Sequence, residues 1–262
     1  MVAWLDLLGY GKMLRAVNFN PTDPMALAAV ERLRVFQSIA ASHTARTLRA
    51  MIINDGVAFV RDLSPRSRSV TFDFLERTYR AFNAVNAAEH RAGQVGARMI
   101  VAVGPRLYVP EAIRLNDAHL SSLLKRLRKK EIGPQQAVIE AFNASALTGS
   151  QEALQANFAF TKAYLADRAG TASGFAGSNC FVDGEFFHSV PSWLLTSKTV
   201  AWSTEGMSGS FIQVDHFDRR VARKTEHPEV RDAEEISLTL DFDYPKKAAL
   251  PPRRKRRPSH DS

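Results

Sequence analysis

A single cysteine, Cys180, excludes an internal disulfide framework and a cysteine-rich zinc module. No apolar run approaches the roughly 20 residues a helix needs to span a bilayer, so no membrane partner is expected. The opening stretch MVAWLDLLGYGK has no basic segment ahead of an apolar one, and Asp6 interrupts it early. A secretory signal is therefore not expected, and the expected location is the cytoplasm. The 7 histidines show no His-x-x-x-His or other zinc-like spacing. Hydrophobic residues make up 45% and charged residues 24% of the chain, which excludes whole-chain disorder and a low-complexity fibre. The 262 residues suffice for one large domain or two small ones.

The net charge of +8 is concentrated at one end. Residues 246–262 hold seven Lys or Arg and one acid, which leaves 28 basic and 26 acidic residues in 1–245, a net of +2. This Pro-rich basic tail is too polar to fold alone. With a near-neutral body and no DNA- or RNA-binding motif, a nucleic-acid partner is disfavoured.

Residues 2–8 (VAWLDLL) read as a short buried strand, followed by a Gly-Tyr-Gly turn. Asp23-Pro24 provides an N-cap and a proline at the first helical position. Leu27, Val30, Leu33, Phe36 and Ile39 then keep a helical period to about His43. Ala50–Ile53 and Val57–Val60 flank Asn54-Asp55-Gly56, a strong hairpin signal. A helix is expected over about Thr71–Arg91, with Leu75, Thr78, Tyr79, Phe82 and Val85 inward, and a strand over Ala97–Val103. Strand, helix, two-strand hairpin, helix, strand is the opening of a ferredoxin-like βαββαβ pattern in an α+β chain.

Further on, helices are expected at Leu120–Leu127, at about Gln135–Leu147 and at about Gln151–Arg168. A hairpin is expected around Asp183-Gly184, and later strands at Val200–Trp202, Ser210–Val214 and Ile236–Phe242. Gly206–Ser210 reads as a loop, and Cys180 as a core thiol.

Asp6 stands out because an unpaired acid buried within an apolar strand costs several kcal/mol, on the order of 2–7. In a βαββαβ sheet the hairpin tip with Asp55 falls beside the C-terminal end of the first strand. Two carboxylates meeting there repel unless a metal lies between them, and oxygen-only ligands suit Mg²⁺ or Mn²⁺. Gly9, Tyr10 and Gly11 allow backbone amides to turn toward a polyphosphate. Singly, each feature also has a purely structural explanation, because Asp-Gly suits a hairpin and Gly-Tyr-Gly suits a turn.

Asp6-Leu7-Leu8-Gly9-Tyr10 resembles the Asp-Ile-x-Gly-Phe element of class III nucleotide cyclases, and Ile52–Val57 (IINDGV) resembles their metal-binding hairpin. Arg98–Gly104 (RMIVAVG) is similar to a strand that ends in Gly in the same fold. Asn157–Leu165, then Cys180–Asp183, resemble the late helix and following strand. Ala163-Tyr164-Leu165 and the compact start look closest to the pyrimidine cyclases of bacterial anti-phage (Pycsar) systems.

The resemblance implies a ferredoxin-like cyclase core over residues 1–190 with a helical insertion at about 111–149. A C-terminal β extension over 191–245 and the disordered tail 246–262 follow. It implies two Mn²⁺ or Mg²⁺ ions held by Asp6, Asp55 and the Leu7 carbonyl. The substrate would be a nucleoside triphosphate, UTP preferred, converted to cyclic UMP and pyrophosphate; the alternatives are cyclic CMP from CTP, or a weak cyclase-like nucleotide-binding protein. Gly9, Tyr10, Gly11, Arg49 and Arg98 would contact substrate, while Asn157 and Lys162 would assist catalysis. A homodimer with sites at its interface and a separate effector reading the product complete the expectation. Two departures stand: Thr161 occupies the position of the family's helix arginine, and no Tyr precedes Asp55 in Leu48-Arg49-Ala50-Met51. Lys162 would have to stand in for that arginine without its planar fork.

Overall fold

Val2, Ala3, Trp4, Leu5 and Leu7 leave the first strand almost no polar side chain, so it must be covered on both faces. The computed structural model describes residues 1–45, 47–63, 70–106, 118–147, 154, 156–204, 206–222, 227–232 and 235–236. In chain order they form β1 (Val2–Leu7), α1 (Tyr10–Ala16), α2 (Pro24–Ser42), β2 (Arg49–Ile53), β3 (Gly56–Val60) and α3 (Val70–Arg91). Next come β4 (Ala97–Ala102), α4 (Ala118–Arg128), α5 (Pro134–Leu147) and α6 (Phe158–Ala169). The chain continues through β5 (Cys180–Asp183), β6 (Leu194–Thr204), β7 (Met207–Phe217) and α7 (Arg219–Ala222).

The strands make one 7-stranded sheet in the order β2-β3-β1-β4-β5-β7-β6. β1 lies antiparallel between β3 and β4, and β2 is antiparallel to β3. That is the ferredoxin-like βαββαβ arrangement within an α+β fold. β5 joins β4 in parallel, and the long β6–β7 hairpin extends that edge through β7.

Side-chain alternation divides the core into two layers. Ala3, Leu5, Leu7, Val57, Phe59, Met99 and Val101 face one way, with Phe36 of α2 and Phe74, Leu75 and Phe82 of α3. Val2, Trp4, Ala58, Val60, Ile100 and Ala102 face the other, under Ala159, Ala163 and Ala166 of α6. Alanines on α6 let its backbone come close to β1 and β4. At Gly104 the approach is so close that a Cβ would lie 2.7 Å from the Ala159 nitrogen.

The Asp23 side chain accepts from the Met25 amide and Pro24 opens α2, as expected. The face of α2 differs from the expected aliphatic stripe. Ala26, Ala29, Arg32, Phe36 and Ala40 are buried, while Leu27, Val30 and Val35 are exposed. Of the expected stripe, Phe36 is in the core and Leu33 and Ile39 pack against it. On α3 the five expected positions are buried.

Four other expectations are corrected. No hairpin forms around Asp183-Gly184: β5 ends at Asp183, whose carboxylate accepts from the Glu185 amide and caps a 3-10 turn, Gly184–Phe186. Met207–Ser210 is strand rather than loop, paired along β6, with Gly206 in the turn. α6 begins at Phe158, and the earlier residues expected in it are largely outside the described ones. Ile236 is buried and helical, its amide donating to the Asp232 carbonyl, so it does not start a strand. The remainder of that strand, residues 237–242, and the basic tail lie outside the described residues. Leu123 and Leu127 pack with Ile132 and Ala137 between α4 and α5, whereas Leu124 is exposed. Cys180 is a buried thiol in the core, as expected.

Gly56 follows the hairpin turn, and the Trp4 indole occupies the space a side chain would need: a Cβ there would lie 2.0 Å from the ring. Gly56→Ala should therefore destabilise the protein by about 1–3 kcal/mol, the usual cost of overpacking. A chemical-denaturation midpoint unchanged from the parent protein would show that the ring moves freely.

Candidate functional site

β1 carries Asp6 out to the end of the sheet, on the same face as Trp4 and pointing toward the α6 layer. Asp6 pairs with Gly56 across the β1–β3 edge, and the Leu7 amide donates to the Asp55 carbonyl at 2.9 Å. The two-residue turn Asn54-Asp55, with Asn54 at φ 54°, sets Asp55 directly beside the strand end. Asn54 Nδ2 donates to Asp55 Oδ1 at 3.0 Å. The structure thus brings Asp6 and Asp55 together, with the Leu7 backbone between them.

Across the other edge of β1, Asp6 faces Arg98 of β4. Burial pushes the Asp6 carboxyl up to about 7, with the charges of Asp167 and Asp55 adding to the effect and Arg98 opposing it. Such a carboxyl is short of positive charge. Among the described residues no set of three His, Cys, Asp or Glu side chains is arranged to hold a metal. Two carboxylates and a backbone carbonyl are nonetheless what Mg²⁺ commonly takes from protein when substrate phosphates and water complete its shell. The oxygen-only donor set and the charge deficit at Asp6 fit a hard divalent cation.

The loop after Asp6 is braced from behind. Arg32 of α2 forms a buried ion pair with Glu89 of α3, and its Nη2 also donates to the Leu8 carbonyl at 2.9 Å. The Leu8 amide donates to the Gly96 carbonyl. Gly9, at φ 79°, is the N-cap of α1 and its carbonyl accepts from the Lys12 and Met13 amides. Tyr10 is buried, so its ring belongs to the core and only its backbone faces the site. Gly11 follows in the first turn of α1, where the helix's own ladder provides no acceptor for the leading amides.

The remaining expected residues sit elsewhere or are committed to other partners. Arg49 is exposed and pairs in register with Val60, which faces Val2 at the opposite end of β1. That places it about 13 Å along the strands from Asp6. Its guanidinium reaches Asp62 at 3.5 Å. Arg98 is near Asp6, but its guanidinium is spent on α6 and its C-terminal turn. It donates to Asp167 Oδ1 at 2.6 Å, to the Asp167 carbonyl at 2.9 Å and to the Phe175 carbonyl at 2.7 Å. Asn157 is the buried N-cap of α6, its Oδ1 accepting from the Phe160 amide at 3.1 Å. Lys162 is buried in an ion pair with Asp183 at 2.5 Å, and Asp183 also accepts from the Val103 amide. Asn157 lies about 15 Å along α6 from Asp167, so within one chain neither it nor Lys162 meets the Asp6–Asp55 pair.

An open cavity of about 420 Å³ lies at that far end, lined by Val103, Gly104, Phe158, Thr161, Lys162 and Met207 among others. His188 meets Glu235 at 3.1 Å, while Asp215 accepts from Ser197 and Gln213.

Sequence reasoning missed the Arg32–Glu89 brace and the Arg98–Asp167 pair. The first left a signal, since Ala29, Arg32 and Phe36 share one helical face. The second left none, because α6 and β4 are far apart in the chain.

No family model matches the chain, and no curated protein matches it in sequence. Among solved structures it is similar to the crystal structure of the guanylyl cyclase Cya2, at 10% identity and a TM-score of 0.44, over 83% of this chain and 92% of that one. No helix among the described residues is long and apolar enough to cross a membrane.

The Asp6 carboxyl has a testable linkage to stability. From its ordinary value of 3.8 up to about 7, the unfolded chain releases this proton while the folded chain keeps it. Stability contributed by this group therefore falls as pH rises through that window and changes no further above it. In chelator, Asp6→Asn should flatten that fall. It should also stabilise the protein at pH 8 by about 2 kcal/mol, after discounting the full effect for partial exposure. Parallel stability–pH curves for the two proteins would contradict the assignment.

Proposed function

We propose that this chain is a metal-dependent nucleotide cyclase that converts a nucleoside triphosphate to its 3′,5′-cyclic monophosphate and pyrophosphate. The observation that carries the reading is the meeting of Asp6 and Asp55 at the end of the central strand, beside a braced glycine turn. The residue resemblance puts a pyrimidine substrate first, UTP ahead of CTP, and with it a cyclic UMP signal in anti-phage defence read by a separate effector.

Asp6, Asp55 and the Leu7 carbonyl would hold Mn²⁺ or Mg²⁺. Bound there, the ions supply Lewis-acid activation of the ribose 3′-hydroxyl and neutralisation of the triphosphate. The bond from the 3′-oxygen to the α-phosphorus forms as the bridging bond to the β-phosphate breaks. Pyrophosphate leaves with the electron pair, and the hydroxyl proton passes to solvent. The chain's own contribution is positioning. The Arg32–Glu89 brace fixes the Leu8 carbonyl, so the backbone of Gly9, Tyr10 and Gly11 is presented in one conformation beside the carboxylates.

A shared site in a homodimer is part of the proposal. What supports it is that the Asn157–Thr161–Lys162 end of α6 lies at the far end of the sheet from Asp6 in the same chain. A head-to-tail partner would bring its own cavity end to the carboxylates. One observation favours a weaker, nucleotide-binding role instead. The two α6 groups named for catalysis are engaged, Asn157 in capping and Lys162 with Asp183. Thr161 offers no cation to the phosphorus.

Purified protein with Mn²⁺ and each of ATP, GTP, CTP and UTP, with products resolved by mass spectrometry, tests the reading. A cyclic monophosphate should form from UTP foremost, and Asp6→Ala and Asp55→Ala should each reduce it below detection while circular dichroism stays unchanged. Product undiminished in either variant removes that carboxylate from the site. No product from any nucleotide, in folded protein, favours the binding role. Size-exclusion chromatography with light scattering should report a dimer; an active monomer would contradict the shared site.

A further inference from the structure

Arg98 is the cation nearest to Asp6 by strand register, since the two residues face each other across β1 and β4. They lie on the same face of the sheet, where directly opposed residues have Cβ atoms about 4.5–5.5 Å apart. An arginine is always protonated and seeks an anion. A guanidinium in that position would ordinarily pair with Asp6 and occupy the oxygens that the proposed cation needs. In this structure it does not.

The reason lies on α6. Asp167 accepts from Arg98 Nε at 2.6 Å, and its backbone carbonyl accepts from Nη2 at 2.9 Å. The Phe175 carbonyl accepts from Nη1 at 2.7 Å. All three guanidinium nitrogens are thereby turned away from Asp6. The other Asp167 oxygen accepts from the Trp4 indole Nε1 at 3.3 Å, so the carboxylate is held between Arg98 of β4 and Trp4 of β1. Trp4 is itself confined, edge-on to Phe160 and Tyr164 and packed over Gly56.

We infer that Asp167 is a positioning residue, which holds the Arg98 guanidinium off Asp6 and so leaves Asp6 and Asp55 open to a divalent cation. The inference rests on the proposed metal site and adds a residue that touches neither metal nor substrate. Its carboxylate pairs with the arginine, so the guanidinium does not occupy the oxygens of the Asp6–Asp55 pair. Neutralising Asp167 releases Arg98 onto Asp6 and cancels one of the two charges a cation would meet.

Binding of Mn²⁺ alone to the full chain, followed by the electron paramagnetic resonance of the free ion, tests this without reference to turnover. Asp167→Asn keeps the amide oxygen as a hydrogen-bond acceptor but loses the charge. It should weaken Mn²⁺ binding by at least about tenfold, the effect of a unit charge brought within ~4–6 Å. The double variant Asp167→Asn/Arg98→Gln removes the released cation and should recover affinity to within about threefold of the parent, because no net charge has changed. The double variant contains no unpaired buried charge, so it tests the inference even if Asp167→Asn alone does not fold.

Equal affinity in folded Asp167→Asn and the parent overturns the inference, and so does a folded double variant that fails to recover, which would make Asp167 a direct ligand. A parent protein that binds no Mn²⁺ overturns the metal site itself, and with it the proposed function.

Discussion

Everything at the candidate site follows from placing a carboxylate on a strand that has no free edge. β1 is hydrogen-bonded to β3 and β4, and its side chains are covered by α2 and α3 on one face and by α6 on the other. Asp6 cannot turn away from this surrounding without breaking the pairing of its neighbours. It is held half-buried, with Asp55 on one side and Arg98 on the other. The resulting upward shift of its carboxyl is the electrostatic record of that confinement.

Three buried ion pairs tie the elements around the sheet together, two of them beside the site. Arg32 is taken by Glu89, Arg98 by Asp167 and Lys162 by Asp183. Burying such pairs is seldom a net gain in stability, but leaving either partner alone is costly. The pairs therefore act as fixed geometry. Arg32–Glu89 holds the turn after Asp6, Arg98–Asp167 ties α6 to β4, and Lys162–Asp183 ties α6 to the end of β5. The first two each commit a cation beside the site to another acid.

Much of the fold was legible because local chemistry and tertiary packing agreed. Asp23-Pro24 announced α2, the Asn-Asp-Gly hairpin announced β2 and β3, and the spacing of Leu75, Tyr79, Phe82 and Val85 named the inner face of α3. Legibility failed for part of α2. There Ala26, Ala29, Arg32, Phe36 and Ala40 face inward, while Leu27, Val30 and Val35 are exposed. It failed again after β5, where Asp183-Gly184 has hairpin composition but the Asp183 carboxylate caps a 3-10 turn and receives Lys162.

The sequence by itself determined an acid at the end of an apolar strand and a second acid in a two-residue hairpin turn, because both are local patterns. The pairing of β1 with β3, Asp6 opposite Gly56, then brings the two acids side by side. The sequence also announced the glycine after Asp55, though for a different reason than turn geometry, since that glycine accommodates the Trp4 ring. Only the tertiary structure decided which cations stand near those acids. Arg98 and Asp167 are 69 residues apart in the chain. Arg49, which opens the same hairpin, lies at the end of it away from Asp6. Charge acts through distance, and distance between elements is set by packing that no local pattern encodes.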